Sequence, residues 1–351
     1  FQPFKIGQMR VENRVSLSAM CQYCAEEGMT TDWHLVHYGA RGVGGTGLIN
    51  TEMLCISAEA RITPGCAGLW NEEQAGKWKR IVEFIHSNSK AKVCAQIGHA
   101  GRKGATCIPW DGGIDQPLSH GAWEIISASA LPYLENSQVP REMTVTDMDK
   151  VTSDFVSATE NAIAAGFDMI ELHLAHGYLL SAFISPCTNK RNDEYGGSLE
   201  NRMRVIYEVM DSVRKNVGDD YMVGLQLNGD DLTSGGLGPN EYKEIASLID
   251  QRKQIDYIVV KAGTYWVPNM VIPDMQHPLG LWVPYSSGIK EVTKNAVIIA
   301  VGRINDPVFA EKVLADGHAD MTGMTRAQIA DPELANKTRE GRLEDIRPCV
   351  A

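Results

Sequence analysis

Short, almost continuously apolar runs recur along the chain at Val15–Met20, Gly47–Glu52, Val93–Ile97, Asp168–Leu172, Met222–Leu227, Asp256–Val260, Val297–Val301 and Ala319–Gly323. Most lack polar alternation, the pattern of parallel strands buried on both faces. Between them stand segments with helical spacing of apolar positions. Asn71–Asn88 carries Trp78, Ile81, Val82 and Ile85 on one face; Asp147–Ala165, Leu199–Val217, Glu241–Ile249 and Pro307–Ala315 follow the same rule. Pro307 and Pro332 suit first helical turns. Eight strands alternating with helices predict an α/β fold, specifically a (β/α)8 TIM barrel. An open doubly wound sheet is the competitor, but no G-x-G-x-x-G follows an early strand.

Two long connections interrupt the rhythm: Arg102–Thr146, rich in Gly, Pro and Trp, and Lys261–Ser287, rich in Tyr, Trp and Pro. Loops of that length in a compact domain are usually functional. No linker-like tract divides the chain, so residues 1–351 read as a single domain. With 44 acidic against 33 basic residues the net charge is −11, which argues against a general nucleic-acid binder. It leaves room for one basic pocket. No apolar run approaches the ~20 residues of a membrane span. The eight Cys are scattered without a disulfide framework, which suits a reducing cytoplasm. The expectation is a cytoplasmic homo-oligomer acting on a small molecule, away from membranes.

A barrel of this kind places its chemistry at the C-terminal strand ends. Those ends read Met20-Cys21-Gln22-Tyr23, Glu52, Gln96-x-x-His99, His173-x-x-His176-Gly177-Tyr178, Gln226, Lys261-Ala262-Gly263, Gly302-Arg303 and Thr325-Arg326. Two imidazoles three residues apart can aim at one ligand atom and suit an oxygen that gains negative charge. The Tyr178 phenol, protonated at neutral pH, can hand over a proton. Two satisfied core histidines are the plain alternative, and metal binding with His99 as third ligand is another. The absence of H-E-x-x-H and of an early H-x-H weakens the metal case. Gly302, Arg303, Thr325 and Arg326 follow the seventh and eighth strands, where barrels usually bind phosphate. Cys21-Gln22-Tyr23-Cys24 is a lone C-x-x-C, so Cys21 is read as facing the site and Cys24 as incidental. The segment Ser185–Ser198 carries no chemistry: Gly196-Gly197 permits a turn, Ser198 caps the next helix and Glu200 suits its positive end.

Together these residues resemble the old yellow enzyme family of FMN-dependent reductases, from Asn13-Arg14-Val15 to Ala330-Asp331-Pro332. The most specific stretches are His173–Tyr178, Ser185–Arg204 and Gln96–Lys103. Ser18–Thr144 resembles the reductase part of salicylyl-CoA and aminobenzoyl-CoA enzymes, and Val301–Cys349 the flavin barrel of 2,4-dienoyl-CoA reductase and trimethylamine dehydrogenase. The resemblance implies that Ala19, Met20, Cys21, Met53 and Gln96 line the isoalloxazine ring. Gly302, Arg303, Thr325 and Arg326 would take the FMN phosphate. His173 and His176 would hold a substrate carbonyl oxygen, Tyr178 would protonate its α-carbon and Tyr23 would border the substrate. One departure stands out: the family usually has Arg in the fifth strand against the flavin N1/O2 edge, and here the strand reads Val223-Gly224-Leu225-Gln226. A neutral amide at Gln226 should stabilise anionic reduced flavin less than a cation does.

The activity implied is transfer of hydride from NADH or NADPH, through FMN, to an α,β-unsaturated carbonyl or CoA thioester. Three rivals remain at this stage. Tyr265, Trp266, Trp282 and Tyr285 could cage a cationic ammonium in an amine dehydrogenase or N-demethylase, although ordinary loop packing is favoured. A metal-dependent hydrolase would use His99, His173 and His176. Gln226 leaves a non-enzymatic flavin-binding module open. In the multidomain relatives that Val301–Cys349 resembles, this point begins a C-x-x-C run for an iron–sulfur cluster. Cys349 would then be one ligand of a four-iron cluster in a longer parent, and these 351 residues alone would carry FMN and no iron; the equal alternative is a natural stop after Ala351 with Cys349 an ordinary surface residue.

Overall fold

Eight strands, every neighbouring pair parallel, close into a barrel in the computed structural model, which describes residues 1–350. In chain order the elements are β1 (Val15–Leu17), α1 (Asp32–Val43), β2 (Leu48–Cys55), α2 (Glu72–Asn88), β3 (Lys92–Gly98), α3 (Val145–Ala164), β4 (Met169–Leu174), α4 (Leu199–Val217), β5 (Met222–Asn228), α5 (Pro239–Gln251), β6 (Tyr257–Lys261), α6 (Val283–Val292), β7 (Val297–Ala300), α7 (Pro307–Ala315) and β8 (Met321–Gly323). Two short helices, Thr325–Ala330 and Leu334–Arg339, follow β8. The predicted (β/α)8 barrel is therefore the observed architecture, with all eight strands where the apolar runs placed them.

The N-terminal mouth of the barrel is plugged. An antiparallel hairpin of Phe4–Ile6 and Met9–Val11 sends Ile6 and Val11 into a buried cluster with Leu48, Met169, Met222, Tyr257 and Met321, the first residues of five strands. The plug leaves the C-terminal strand ends as the face on which a ligand site can open. Around the barrel, α2 buries Trp78, Ile81, Val82 and Ile85 as its spacing required. Helix starts carry the expected caps: the Asn71 side chain accepts from Gln74 N–H at 2.9 Å, and Ser198 accepts from Asn201 N–H at 3.3 Å. Pro307 opens α7, whereas Pro332 lies just ahead of the Leu334–Arg339 helix.

Two helices escape the periodicity argument. α1 buries His34, His37, Tyr38 and Arg41 while Trp33 and Val36 face solvent. Its hydrophobic pattern points outward, because the buried face is polar and hydrogen-bonded. α6 opens Val-Pro-Tyr-Ser-Ser-Gly, weak helix-forming chemistry that only packing against β6, β7 and α5 makes helical. No helix among the described residues is long and apolar enough to cross a membrane.

Candidate functional site

A cavity of about 290 Å³ opens at the C-terminal strand ends. Its lining includes Ala19, Met20, Cys21 and Tyr23 after β1, Met53 on β2 and Gln96 on β3. His173, His176 and Tyr178 follow from β4, Gln226 from β5, Gly302 and Arg303 after β7, and Thr325 and Arg326 after β8. The structure thus brings together in one space every residue that the family resemblance assigned to FMN or to the substrate.

The roof of this space is built by a sharp exit from β4. His176 and Gly177 both take positive φ, 62° and 83°, and the His176 N–H donates to Asn228 Oδ1 at 3.3 Å. This reversal turns the His176 ring back beside His173, centroid to centroid 5.3 Å, with the Tyr178 ring 4.8 Å from His173. His173 Nδ1 accepts from the Ala175 N–H at 3.3 Å, which assigns the ring proton to Nε2. Burial holds His173 down to about 3, with the nearby Lys261 charge adding to the effect. Burial, then His173 and Lys261, depress His176 well below the usual histidine range. Both rings are therefore neutral at pH 7. Among the described residues neither His176 ring nitrogen has a hydrogen-bond partner. Burial, with Tyr265 and Tyr23 nearby, pushes the Tyr178 phenol far up, so it stays protonated.

The floor is different. Glu171, two residues before His173 and on the same face of β4, is fully buried. Its carboxylate accepts from Asn50 Nδ2 at 2.8 Å, from Gln96 Nε2 at 2.6 Å and, more loosely, from Gln226 Nε2 at 3.5 Å. Burial raises the Glu171 pKa, and Gln96, Tyr257, the Lys261 charge and Asn50 oppose the rise. Gln226 therefore leans on a carboxylate that an apolar strand interior conceals.

At the far end Arg303 and Arg326 share the cavity; burial pushes the half-buried Arg326 down and the Arg303 charge adds to this, while Cys349 and the Asp274 carboxylate oppose it. Arg303, at φ 53°, donates to the His277 carbonyl, and its Nε has no partner. Two mutually repelling cations are what a dianion would reconcile. The Thr325 hydroxyl is already engaged, accepting from Ser18 N–H at 2.9 Å and donating to the Ser18 carbonyl at 3.1 Å. Cys349 lies at this end of the cavity too.

The near wall is set from behind β1. Glu52 accepts from the Gln22 N–H at 3.2 Å and lies 3.2 Å from His34 Nε2, with neither carboxylate nor ring exposed. Cys21 borders the cavity, whereas Cys24 Sγ turns away to the Gln22 carbonyl.

Over the opening, the two long connections are tied together. Tyr133 donates its hydroxyl to the Tyr265 carbonyl, and Trp266 Nε1 donates to the Tyr133 carbonyl at 2.6 Å. Arg102 covers the Trp266 ring at 4.2 Å, and Lys103, ion-paired with Asp115, sits 4.3 Å from the Tyr265 ring centroid. The suggested ammonium cage is therefore not formed as one: Trp266 already holds the protein's own guanidinium, Trp282 packs under Gly302, and Tyr285 packs against Gly229. Tyr265 alone turns to the roof, 5.5 Å from both His176 and Tyr178. The metal arrangement is not formed either. His99 is buried outside the cavity, its Nδ1 accepting from the Gly101 N–H at 2.9 Å, and among the described residues no three His, Cys, Asp or Glu side chains gather to hold a metal.

Two lining or supporting groups were given no role from the sequence. Glu171 could have been found from its two-residue offset to His173, and Lys261 was noted only as a strand end. Tyr265 was considered only for an ammonium cage, and its place against the roof is set by tertiary packing.

The sequence profile of the NADH:flavin oxidoreductase / NADH oxidase family matches residues 1–345. An NADH oxidase from Thermoanaerobacter brockii is 34% identical over 353 residues, covering 100% of this chain and 52% of that protein. An NADPH dehydrogenase from a Geobacillus species is 34% identical over 334 residues, covering 95% of this chain and 91% of the relative. Among solved structures, that of 2-naphthoyl-CoA reductase with 2-naphthoyl-CoA superposes with a TM-score of 0.90 at 31% identity, covering 99% of this chain and 53% of the other. The chain spans about half the length of the first and third of these proteins and most of the second.

Proposed function

The chain belongs to the NADH:flavin oxidoreductase / NADH oxidase family, and from that premise we propose that its cavity binds FMN and serves an NAD(P)H-dependent reduction of the C=C bond in an α,β-unsaturated carbonyl compound or CoA thioester. The residues present fit such a cofactor. Arg303 and Arg326 repel each other across the far end, where a phosphate dianion would relieve them. Ala19, Met20, Cys21 and Met53 offer a mostly apolar wall for a flat ring, and Gln96 offers an amide at its polar edge. FMN, when bound, supplies a two-electron hydride carrier between nicotinamide and substrate.

The chain's own part is electrostatic and protonic. His173 Nε2–H and a ring N–H of His176 would both point at a carbonyl oxygen as it gains charge. Neutral imidazoles donate there without first losing a proton, and their burial makes each hydrogen bond count for more. Tyr178, held protonated beside His173, would release its proton to the α-carbon. Tyr23 would border the substrate, and the tied loops would exclude water from the reacting carbons.

The observation that carries this reading is the roof: two neutral histidines, one with no hydrogen-bond partner among the described residues, beside a phenol that stays protonated. That 2-naphthoyl-CoA reductase is a structural relative supports a thioester among the substrate classes. The test is direct. Purified protein reconstituted with FMN should retain the flavin absorbance through gel filtration, bleach with NADH or NADPH and recover colour with cyclohexenone or an enoyl-CoA. Failure to retain FMN would end the proposal.

A further inference from the structure

Lys261 is a cation in the cavity that the proposed reaction leaves unused. It is the last residue of β6, in register with Asn228, while Val259 pairs with Gln226. Two-residue alternation therefore puts Lys261 on the lumen face, one step further toward the opening than Gln226. Its charge adds to the burial that depresses His173 and His176, and it is itself pushed down by burial, drawn up by Glu171 and lowered further by Arg326. These couplings place the ammonium between the histidine pair and the arginine end, the stretch where a ring joined to a phosphate would lie. The Trp282 ring centroid is 6.0 Å from Nζ. Among the described residues the ammonium makes no side-chain hydrogen bond or ion pair, so its three N–H groups remain for a ligand.

The groups around it narrow what that ligand contributes. Arg303 and Arg326 already serve the dianionic end. The Glu171 carboxylate is engaged by Asn50 and Gln96, and its charge draws Lys261 up without a direct ion pair among the described residues. What remains in between is a polar ring edge that is neutral when oxidised and negative when reduced. Resting on the FMN reading above, we infer that Lys261 is the cation that meets the N1–C2=O edge of FMN and stabilises its reduced, anionic form. Gln226, by contrast, belongs to the Glu171 floor. The charge at the ring edge is thus supplied from β6, not β5.

The experiment uses FMN-loaded wild type, Lys261→Met, Lys261→Gln and Lys261→Arg. Potentials are measured by dye equilibration, and sulfite titration gives an independent readout, because the adduct leaves negative charge on the same ring edge. Lys261→Met and Lys261→Gln should weaken binding of reduced FMN relative to oxidised FMN at least tenfold, a drop of ~30 mV or more for the two-electron couple. Sulfite affinity should fall in parallel, and Lys261→Arg should restore most of both. Should the methionine variant fail to fold, the glutamine variant carries the test. An unchanged potential and sulfite affinity in a flavin-loaded variant overturns the assignment while leaving the functional reading intact. Loss of phenolate binding with no change in potential overturns it as well, by moving Lys261 to the substrate. Wild type that retains no FMN would defeat the functional reading itself, and this assignment with it.

Discussion

Floor and roof of the cavity are made from the same strand, two residues apart, and treat polar atoms in opposite ways. Below, Glu171 is buried and its oxygens are taken by Asn50, Gln96 and Gln226. Above, His176 has both ring nitrogens unpaired, and His173 spends only one of its two. Satisfied buried groups hold a structure together, whereas unsatisfied ones are costly and persist where a ligand completes them. The contrast separates residues whose polar atoms are used within the fold from those left open to a ligand.

The sharpest way to break this contrast is Tyr178→Phe. It should slow reoxidation by an unsaturated carbonyl by roughly 10²–10⁴-fold. Flavin reduction by NADPH should stay within about threefold, as should the urea midpoint within the equivalent of ~1 kcal/mol. Stopped-flow traces showing equal losses in both half-reactions would remove Tyr178 from proton delivery. The floor should behave the other way. Glu171→Ala strands Asn50 and Gln96 donors in the lumen and should cost about 3 kcal/mol of unfolding free energy. A urea midpoint close to wild type would show that water or repacking satisfies them.

The pH response sharpens the same division. His173 is held to about 3 in the fold but titrates near 6.5 when unfolded, so below pH 6.5 the unfolded chain binds the extra proton. Stability should therefore fall as pH drops, by about 1 kcal/mol per pH unit between pH 6 and 5 from this residue. His173→Gln should flatten that slope by the same amount, which urea unfolding at several pH values would report. The smallest effect is expected from Gln226→Arg. The new guanidinium would lie beside Glu171, whose nearer oxygen is 3.5 Å from the Gln226 amide, and would be neutralised there. The flavin potential should rise by less than ~30 mV, the equivalent of tenfold. A larger rise would mean that the fifth strand, after all, faces the ring edge.

How far the sequence could lead depends on what each signal encodes. Strands buried on both faces write themselves as unbroken apolar runs, so the barrel was legible, and strand ends then named the cavity residues. α1 was not, because His34, His37, Tyr38 and Arg41 form its buried side and Trp33 and Val36 its exposed one. Glu171 was hidden inside an apolar run, where one charge reads as noise unless the alternation to His173 is followed. Lys261 was visible as a strand end but had no partner pattern to give it meaning. The packing of Tyr265 onto the roof, and of Trp266 under Arg102, joins segments far apart in sequence, which no local pattern records.

The ties between the two long connections have a consequence for anyone who would alter what enters this cavity. Tyr133 and Trp266 each lend a group to the other's segment, and Arg102 and Lys103 rest on rings from the opposite side. Changes on one loop will therefore not add to changes on the other. A chimera that imports only the Arg102–Thr146 stretch from a relative would inherit half of each bond and a gap where Trp266 had its cover. Substrate scope in this scaffold is heritable as a pair of loops, and grafting or laboratory evolution should move both at once.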